Sequence, residues 1–326
     1  MKGNSKKRRI VALLCAVVAA TAIAGVGQSV ISVLEIEPGV AGLGMAGAVG
    51  SRTGDVESMY YNPAGLAGLE GLSLTSSYSS QWGESNYSGF GVAFNGWALG
   101  YLMFNSGDIE GRDDTGSPTE TLSYKNNAAL FAFGLGENQL GFLASLPVDL
   151  SIGGRLKFVT TSFGETKGSG MAVDLATQIG FNPVRLGGFS ITDMRVGLAM
   201  LDLFGRLNYG EEDEYTEPFG MDLRASFSAV LFDALVLGFD FGPVGTIHLG
   251  LEYGLLDLLA IRAGMLSLAD VFTFTIGIGL DLQGIGIDYA LETHNNLSAT
   301  HRIGVTIDLG RLNLGSMSGI FQRILP

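Results

Sequence analysis

The residues that most resemble a known chemical motif lie near the N-terminus. The run 42–47, Gly-Leu-Gly-Met-Ala-Gly, matches G-x-G-x-x-G, a pattern that binds the pyrophosphate of a dinucleotide. That chemistry needs a preceding strand, a following helix and an acidic residue about twenty positions later. Here the run follows an apolar leader and precedes a series of strand-like segments. The motif therefore indicates close backbone packing rather than a dinucleotide site, and no cofactor is expected.

Three histidines supply the only imidazole side chains. His294 and His301 flank a turn at 295–298, and His248 stands alone in a predicted strand. A structural or catalytic zinc site needs at least three protein ligands, so the turn is the preferred interpretation and no metal is expected. No Ser, His and Asp arrangement appears, and the single cysteine, Cys15, lies in the leader. We expect no catalytic site and no enzyme activity.

Two acidic clusters, at 108–114 and 211–214, interrupt the apolar sequence. Neither has the ligand spacing of an EF-hand loop. We interpret both as solvated loops, and weak binding of divalent ions beside anionic lipid is the alternative. The formal net charge of −13 comes without a basic patch, which excludes nucleic acid as a partner.

Most of the chain from residue 70 alternates between apolar and polar side chains. In 272–282, Phe272, Ile276 and Leu280 share one face, while threonine, glycine and aspartate form the other. A period of two predicts β-strands. The predicted strands are 71–81, 86–94, 97–109, 119–134, 139–145, 150–162, 169–181, 191–202, 218–231, 234–241, 246–255, 258–265, 271–282, 284–292 and 299–309. The segment 139–145 is the weakest of the fifteen, and its removal leaves fourteen, an even number as in bacterial barrels.

Two all-β architectures could bury these faces. A soluble sandwich places the apolar face inside, whereas a membrane barrel turns it toward lipid and the polar face toward the lumen. The segments are longer than the usual strand of about five or six residues, and their polar faces are rich in glycine, serine and threonine. We therefore predict an antiparallel transmembrane β-barrel of about 14 strands, at 70–310, whose partner is outer-membrane lipid. Predicted lumen charges are Arg155, Lys157, Arg224, His248, Glu252, Arg262, Asp288 and Arg302. They would support the barrel by pairing, or alternatively line a translocation pathway.

The N-terminal 24 residues predict export. Five cations precede an apolar stretch that begins at Ile10, and Ala22-Ile23-Ala24 offers a cleavage site. A retained membrane anchor is the alternative. Apolar residues make up 47% and charged residues 16% of the chain, yet no later apolar run approaches the ~20 residues of a spanning helix. We expect a signal peptide at 1–24 and a location in the bacterial outer membrane.

A resemblance to a known family rests on two blocks. The first combines residues 41–48 with 55–66, which include Gly42, Gly44, Met45, Gly47 and the run Asn62-Pro63-Ala64-Gly65. The second lies at 287–303. Together they resemble the long-chain fatty-acid transporter (FadL) superfamily of outer-membrane barrels, especially its PorV/PorQ-like branch. The chain departs from that pattern at Ala46, where the family has glycine, and in a tail at 311–326 that continues past the last strand.

The resemblance implies a fourteen-stranded barrel whose N-terminal segment, 25–69, folds into the lumen as a plug. Asn62 to Gly65 would then lie where the plug meets the first strand, and Pro63 would hold Asn62 extended. The implied function is passive, porin-like transport of hydrophobic small molecules such as long-chain fatty acids. The alternative is a structural or secretion-accessory barrel with protein partners from a secretion system. A soluble exported β-sandwich is a third possibility.

Overall fold

The computed structural model describes residues 33–146, 148–186, 189–210, 215–242, 245–256, 258–268 and 271–312. The predicted signal peptide, the first residues of the predicted plug and the tail beyond residue 312 lie outside these ranges. Within them, no helix combines the length and hydrophobicity that crossing a membrane requires.

Three short helices come first and strands dominate the remainder. The helices are α1 (Val40–Gly44), α2 (Ser58–Tyr61) and a 3-10 helix (Pro63–Gly68); a second 3-10 helix is Gly141–Ser145. The strands are β1 (Leu72–Gln81), β2 (Ser85–Phe94), β3 (Trp97–Asn105), β4 (Ile109–Arg112), β5 (Pro118–Leu122), β6 (Tyr124–Leu135), β7 (Asp149–Phe163), β8 (Thr166–Phe181), β9 (Val184–Leu186), β10 (Phe189–Tyr209), β11 (Tyr215–Pro218), β12 (Asp222–Leu231), β13 (Leu235–Phe241), β14 (Ile247–Leu255), β15 (Leu259–Leu268), β16 (Val271–Asp281), β17 (Ile285–Glu292) and β18 (Thr300–Asp308).

Fourteen of these strands form a closed antiparallel ring. Each pairs with its neighbours in the order β1, β2, β3, β6, β7, β8, β10 and β12 to β18, and β18 pairs back onto β1. The hairpin β4–β5 projects from the ring, while the short strands β9 and β11 pair with β10. The predicted all-β barrel of fourteen strands is confirmed.

The two faces of the ring differ in polarity as the alternation predicts. The outward side chains of Phe272, Leu249 and Val305 are 48%, 41% and 40% exposed, whereas Arg302 and Lys157 are each 1% exposed. A sandwich would bury the first group between two layers. The ring instead presents the apolar side chains outward and encloses the polar ones, which excludes the sandwich.

Five of the predicted strand segments differ from the structure. The segment 139–145 contains a 3-10 helix because its backbone bonds are local, as where Leu143 N donates to the Leu140 carbonyl at 2.8 Å. Segments 97–109 and 119–134 each divide, since their outer parts pair with each other as the hairpin β4–β5. The segment 191–202 extends to 189–209, and 218–231 begins at 222 after the separate strand β11.

Residues 33–69, called here the N-terminal segment, lie within the ring. Their partners are distributed around the wall: Ser77 on β1 donates to the Pro38 carbonyl at 3.2 Å, and Gln178 on β8 to the Arg52 carbonyl at 3.0 Å. On β16, Thr275 donates to the Gly44 carbonyl at 3.1 Å. Contacts on several sides fix the segment inside the ring and place most of its residues in the core.

The ring has two distinct ends. At the terminal end, β1 begins, β18 finishes and tight turns such as 95–96 and 282–284 connect neighbouring strands. At the distal end, the hairpin β4–β5 and the connection 293–299 project. The N-terminal segment reaches β1 at the terminal end through its 3-10 helix.

Candidate functional site

Glycines on the inner wall mark where the N-terminal segment docks. Gly250, Gly264 and their neighbour Gly238 form one cross-strand row over β13, β14 and β15. A methyl group at Gly264 would lie 2.5 Å from the Ala46 nitrogen, and one at Gly277 would lie 3.0 Å from the Gly44 Cα. Because real Cβ atoms do not approach backbone so closely, only glycine allows this contact. We call this surface the glycine track.

The predicted glycine-rich signature lies on that track. Gly42 and Gly44 belong to α1, Met45 is 1% exposed, and Gly47 has a φ of +78° that favours glycine. The backbone that follows α1 curves back, with Gly47 N donating to the Gly42 carbonyl at 2.9 Å. The run 42–47 therefore packs backbone against backbone and does not lie between a strand and a long helix.

The second signature block forms the bend that leads to β1. Asn62 is extended, as Pro63 predicts, and its side-chain oxygen accepts from Ala64 N at 3.0 Å, which caps the 3-10 helix. The Asn62 amide also donates to the Thr177 carbonyl of β8 at 3.4 Å. Ala64 is fully buried against Gly153, and Gly65 O accepts from Gly54 N at 2.9 Å. The block thus attaches the segment to the wall and also connects two parts of the segment to each other.

All eight predicted lumen charges face the interior, and they fall into separate groups. On β7, Arg155 pairs with Asp174 and donates to the carbonyls of Met59 and Tyr60. Lys157 lies 2.8 Å from Asp174 and 2.6 Å from Asp202 of β10. This cluster of Arg155, Lys157, Asp174 and Asp202 links three wall strands to the segment.

A second group holds the segment near the glycine track. Arg224 donates to Asp240 at 2.9 Å and to the Gly47 carbonyl at 2.9 Å. His248 Nδ1 lies 2.6 Å from the Ala46 carbonyl oxygen, which only accepts, so this nitrogen carries the proton. These contacts satisfy backbone groups that would otherwise be buried without partners.

A third group lines a cavity of about 360 Å³ between the segment and strands β14 to β18 at the terminal end. Arg262 bridges Glu252 and Asp288, at 2.6 Å to each. Arg52 of the segment reaches Glu252 at 3.4 Å, and the attraction of Glu252 raises the pKa of Arg52. The cavity therefore has polar and apolar walls and borders the side of the segment that carries Arg52, Asp55 and Glu57.

Glu57 is the buried acid of the segment itself. Its carboxylate accepts from Val40 N at 2.9 Å and Gly42 N at 3.4 Å, at the start of α1. Burial, with repulsion from Asp55, raises the pKa of Glu57 to about 7. The sequence analysis did not single out this residue, because nothing in a single acid among small residues shows that it will be buried.

The wall is most irregular at the seam between β8 and β10, although the pairing of β10 with β12 also shifts once, between Thr192 and Arg195. At the seam the register shifts between Met200 and Leu203 and again between Leu203 and Arg206. Asp202 and Phe204 have φ of 59° and 57°, and Phe204 is 91% exposed on the outside. Asp202 N donates to the Asp174 side chain at 2.9 Å in place of a ladder partner. Side chains therefore hold the seam where β-bulges interrupt the backbone ladder.

The remaining candidate residues do not assemble into a site. His294 contacts Thr300, while His301 faces outward against Tyr289. In the acidic hairpin the Asp113 carboxylate caps its own turn, and the hydrogen bond from Thr115 lowers the Asp113 pKa. The cluster 211–214 lies outside the described residues, and among those described no three His, Cys, Asp or Glu side chains converge as metal ligands.

Comparison with known proteins identifies the fold. No protein-family model and no curated protein matches the sequence. Among solved structures, the toluene transporter TodX of Pseudomonas putida has a TM-score of 0.52 at 11% identity, covering 85% of this chain and 98% of TodX. The toluene transporter TbuX of Ralstonia pickettii has a TM-score of 0.51 at 13% identity, covering 84% and 98%. These similarities show a shared barrel fold.

Proposed function

We propose that the chain is an outer-membrane transporter through which hydrophobic small molecules, such as long-chain fatty acids, diffuse passively. The observation that carries the proposal is the closed ring with an apolar exterior and a chain segment inside. A bilayer requires every backbone group of a spanning sheet to be paired, and a closed ring meets that requirement. The two similar structures are hydrocarbon transporters, which supports an apolar cargo.

The N-terminal segment is the proposed plug, and the terminal end faces the periplasm. Bacterial barrels place short turns on the periplasmic side and long loops outside, as the tight turns of the terminal end suggest. The cargo then reaches the interior from the distal end. It leaves through the terminal-end cavity, or sideways through the irregular seam of β8 and β10. The proposal includes two further statements: the chain is a member of the FadL superfamily, and a cleaved signal peptide directs its export.

Uptake measurements test the proposal directly. The chain is expressed in a host strain that lacks its own fatty-acid transporter, and uptake of radiolabelled oleate is followed. We expect uptake above that of the same strain expressing an unrelated barrel. Outer-membrane fractionation and a gel-mobility change on boiling verify insertion and folding. A folded, inserted chain that gives no uptake would overturn the proposal.

The PorV/PorQ-like alternative is a barrel that assists secretion. Its support is the dense attachment of the segment, which binds the wall through backbone contacts at Gly264 and through hydrogen bonds that Arg155 and Arg224 donate to its carbonyls. A permanently filled interior suits a scaffold for secretion-system proteins. Co-purification with such proteins, together with absence of oleate uptake, would favour this function over transport.

A further inference from the structure

The terminal-end cavity carries more acid than base. Three arginines line it, against the six acids Asp55, Glu57, Glu252, Asp281, Asp288 and Asp308. Arg52 and Arg262 both pair with Glu252. Asp308 differs, because among the described residues its carboxylate accepts from Gly310 N at 3.0 Å and pairs with no cation. The cavity therefore favours an occupant that brings a positive charge.

Apolar side chains belong to the same lining. Leu258, Leu259 and Leu280 lie along the cavity with the acidic residues, and Leu258 is 41% exposed. The volume of about 360 Å³ matches the smaller ligand pockets of proteins, which start at about 300 Å³. Such a cavity holds a few side chains but not a folded domain. A peptide with one cation and adjoining apolar residues suits both parts of the lining.

The chain itself leads to the mouth of this cavity. After β18, Arg311 lines the cavity and pairs with Asp281 at 2.9 Å. Leu312 lies on the turn at 282–284, where a methyl group at Gly284 would be 2.9 Å from the Leu312 nitrogen. The residues that follow, 313–326 and called here the tail peptide, therefore start at the edge of the cavity.

The tail peptide has the composition that the lining favours. It contains no acidic residue, and its one cation, Arg323, stands beside Phe321 and Ile324. Phe321 and Arg323 are two positions apart, so an extended backbone directs both side chains to the same face. The fourteen residues span up to about 46 Å when extended, so a cavity that begins beside Arg311 is within their reach.

We propose that the tail peptide folds back into the terminal-end cavity, where Arg323 pairs with Asp308 and Phe321 packs against the leucines of the lining. Because the peptide is attached at the cavity edge, its effective concentration there is in the millimolar range, and a weak contact is enough to hold it. Docking removes apolar side chains of the peptide and of the lining from water. It also brings the peptide to Arg52 and Asp55 of the N-terminal segment, which share the lining.

The docking itself does not depend on the cargo of the barrel, and a scaffold barrel would bind its tail peptide equally well. Its consequence for transport rests on the proposed function, in which cargo leaves through this cavity. A docked tail peptide covers that route.

Disulfide formation measures the docking. Cys15→Ser removes the only native thiol, and the full-length chain is purified folded in detergent. Gln322→Cys, between the two proposed contact residues, is combined with Ala260→Cys, at a position that lines the cavity. The control pair combines Gln322→Cys with Leu256→Cys, which is 85% exposed on the preceding turn and outside the lining. The rates of disulfide formation under mild oxidation are compared on non-reducing gels.

We expect the Ala260 pair to form at least about fivefold faster than the Leu256 pair, the ratio that one partly exposed ion pair supplies. Arg323→Gln or Asp308→Asn should remove this preference, and Arg323→Lys should retain part of it. High salt should weaken the preference by screening the ion pair. Arg112→Gln, at an exposed arginine of the distal hairpin, is the matched loss of one positive charge and should leave the preference unchanged.

A second measurement needs no substitution in the wall. In the protein that carries only Gln322→Cys, a polyethylene glycol maleimide should react slowly while the tail peptide is docked. The reaction should become about fivefold faster after Arg323→Gln, with each rate divided by that of the same protein unfolded in urea. This measurement decides the question if Ala260→Cys prevents folding, which the gel-mobility change on boiling reveals.

The outcomes separate the possible occupants. Equal rates for the two cysteine pairs in folded protein overturn the docking, as does a preference that survives Arg323→Gln. Disulfides between two chains identify a second copy as the occupant and also overturn it. Failure of both pairs to form overturns it by placing the tail peptide elsewhere, as on the membrane surface. Oleate uptake enters none of these measurements, so absent uptake contradicts only the proposed function, and absent docking contradicts only the role of the tail peptide.

Discussion

Two parts of the wall hold the N-terminal segment by different combinations of contacts. On strands β13 to β16 the segment backbone lies directly on glycines, as at Gly264 and Gly277. On β7 and β8, the long side chains of Arg155 and Gln178 bridge to the carbonyls of the segment. The first part has a continuous register, whereas the second adjoins the shifted seam with β10.

The difference shows that strands with the same alternation of side chains can attach the segment either through glycine backbone or through long side chains. Backbone-on-backbone packing allows no adjustment, because any added side chain must displace the segment. Charged side chains span a larger gap and can replace ladder bonds, as Asp174 does for Asp202 N. The glycine track is therefore the fixed dock of the segment, and the seam is the part of the wall that side chains hold together.

The largest effect is expected at the seam, from Asp174→Ala. Asp174 is fully buried and is the shared partner of Arg155 and Lys157. Its loss leaves the buried Arg155 without a carboxylate and Lys157 with Asp202 alone, which lowers the free energy of unfolding by about 3–5 kcal/mol. Urea unfolding in lipid vesicles measures the change. Asp281→Ala breaks the exposed pair with Arg311 and should change stability by at most ~1 kcal/mol; equal losses would contradict the role of the cluster.

The glycine track is tested by Gly264→Ala against Gly254→Ala. The first places a methyl group 2.5 Å from the Ala46 nitrogen, whereas at Gly254 the nearest atom is 3.8 Å away. Overpacking at Gly264 should lower the free energy of unfolding by about 1–3 kcal/mol, and Gly254→Ala should be neutral. The same urea titration compares them. If both variants match the parent, the segment does not depend on this contact.

Sideways exit through the seam is tested by a disulfide between cysteines at Met200 and Leu175. These residues are cross-strand partners beside the bulges and both point outward, within the reach of a disulfide. If cargo leaves there, oxidation should slow oleate uptake roughly tenfold, equivalent to ~1.4 kcal/mol. Cysteines at Ile261 and Ile278, partners in the regular wall, are the control. Equal uptake by the two oxidised proteins argues for exit through the terminal-end cavity instead.

The last test concerns the pH dependence of the segment through Glu57. Its raised pKa, about 7, means that the folded protein binds the proton more tightly than the unfolded chain. The resulting stabilisation is complete below the unfolded value of about 4.5 and is lost as the pH rises through 7. Unfolding measured from pH 5 to pH 8 should therefore show falling stability, and Glu57→Gln should flatten that slope. A parallel slope in the variant would assign the pH dependence to other groups.

Part of the interior could be predicted from the alternation alone. Residues such as Arg155, Arg224 and Arg302 were assigned to the inner face because a period of two fixes which side chains share a face. The same reasoning could not select their partners. Asp174 pairs with Arg155 because β7 and β8 meet in one register, and register depends on turns and packing that a single strand does not encode.

The abundance of glycine could be read from the sequence, but the alignment of glycines into a track across neighbouring strands could not. The glycines of the track occur one per strand, so they become neighbours only when the strands align. Likewise, the hairpin β4–β5 divided two predicted strands, and β10 continued through its bulges past its predicted end, since turns and bulges depend on a few backbone angles that side-chain periodicity does not report. The role of Glu57 depends on burial by distant residues and left no local signal.

The sequence by itself determined that this chain forms strands with one apolar and one polar face, because side-chain direction alternates along any extended backbone. Only the tertiary structure decided that the ring closes through β1 and β18 and that the segment docks on glycines. Those outcomes depend on which strands become neighbours, and burial and pairing follow from that arrangement.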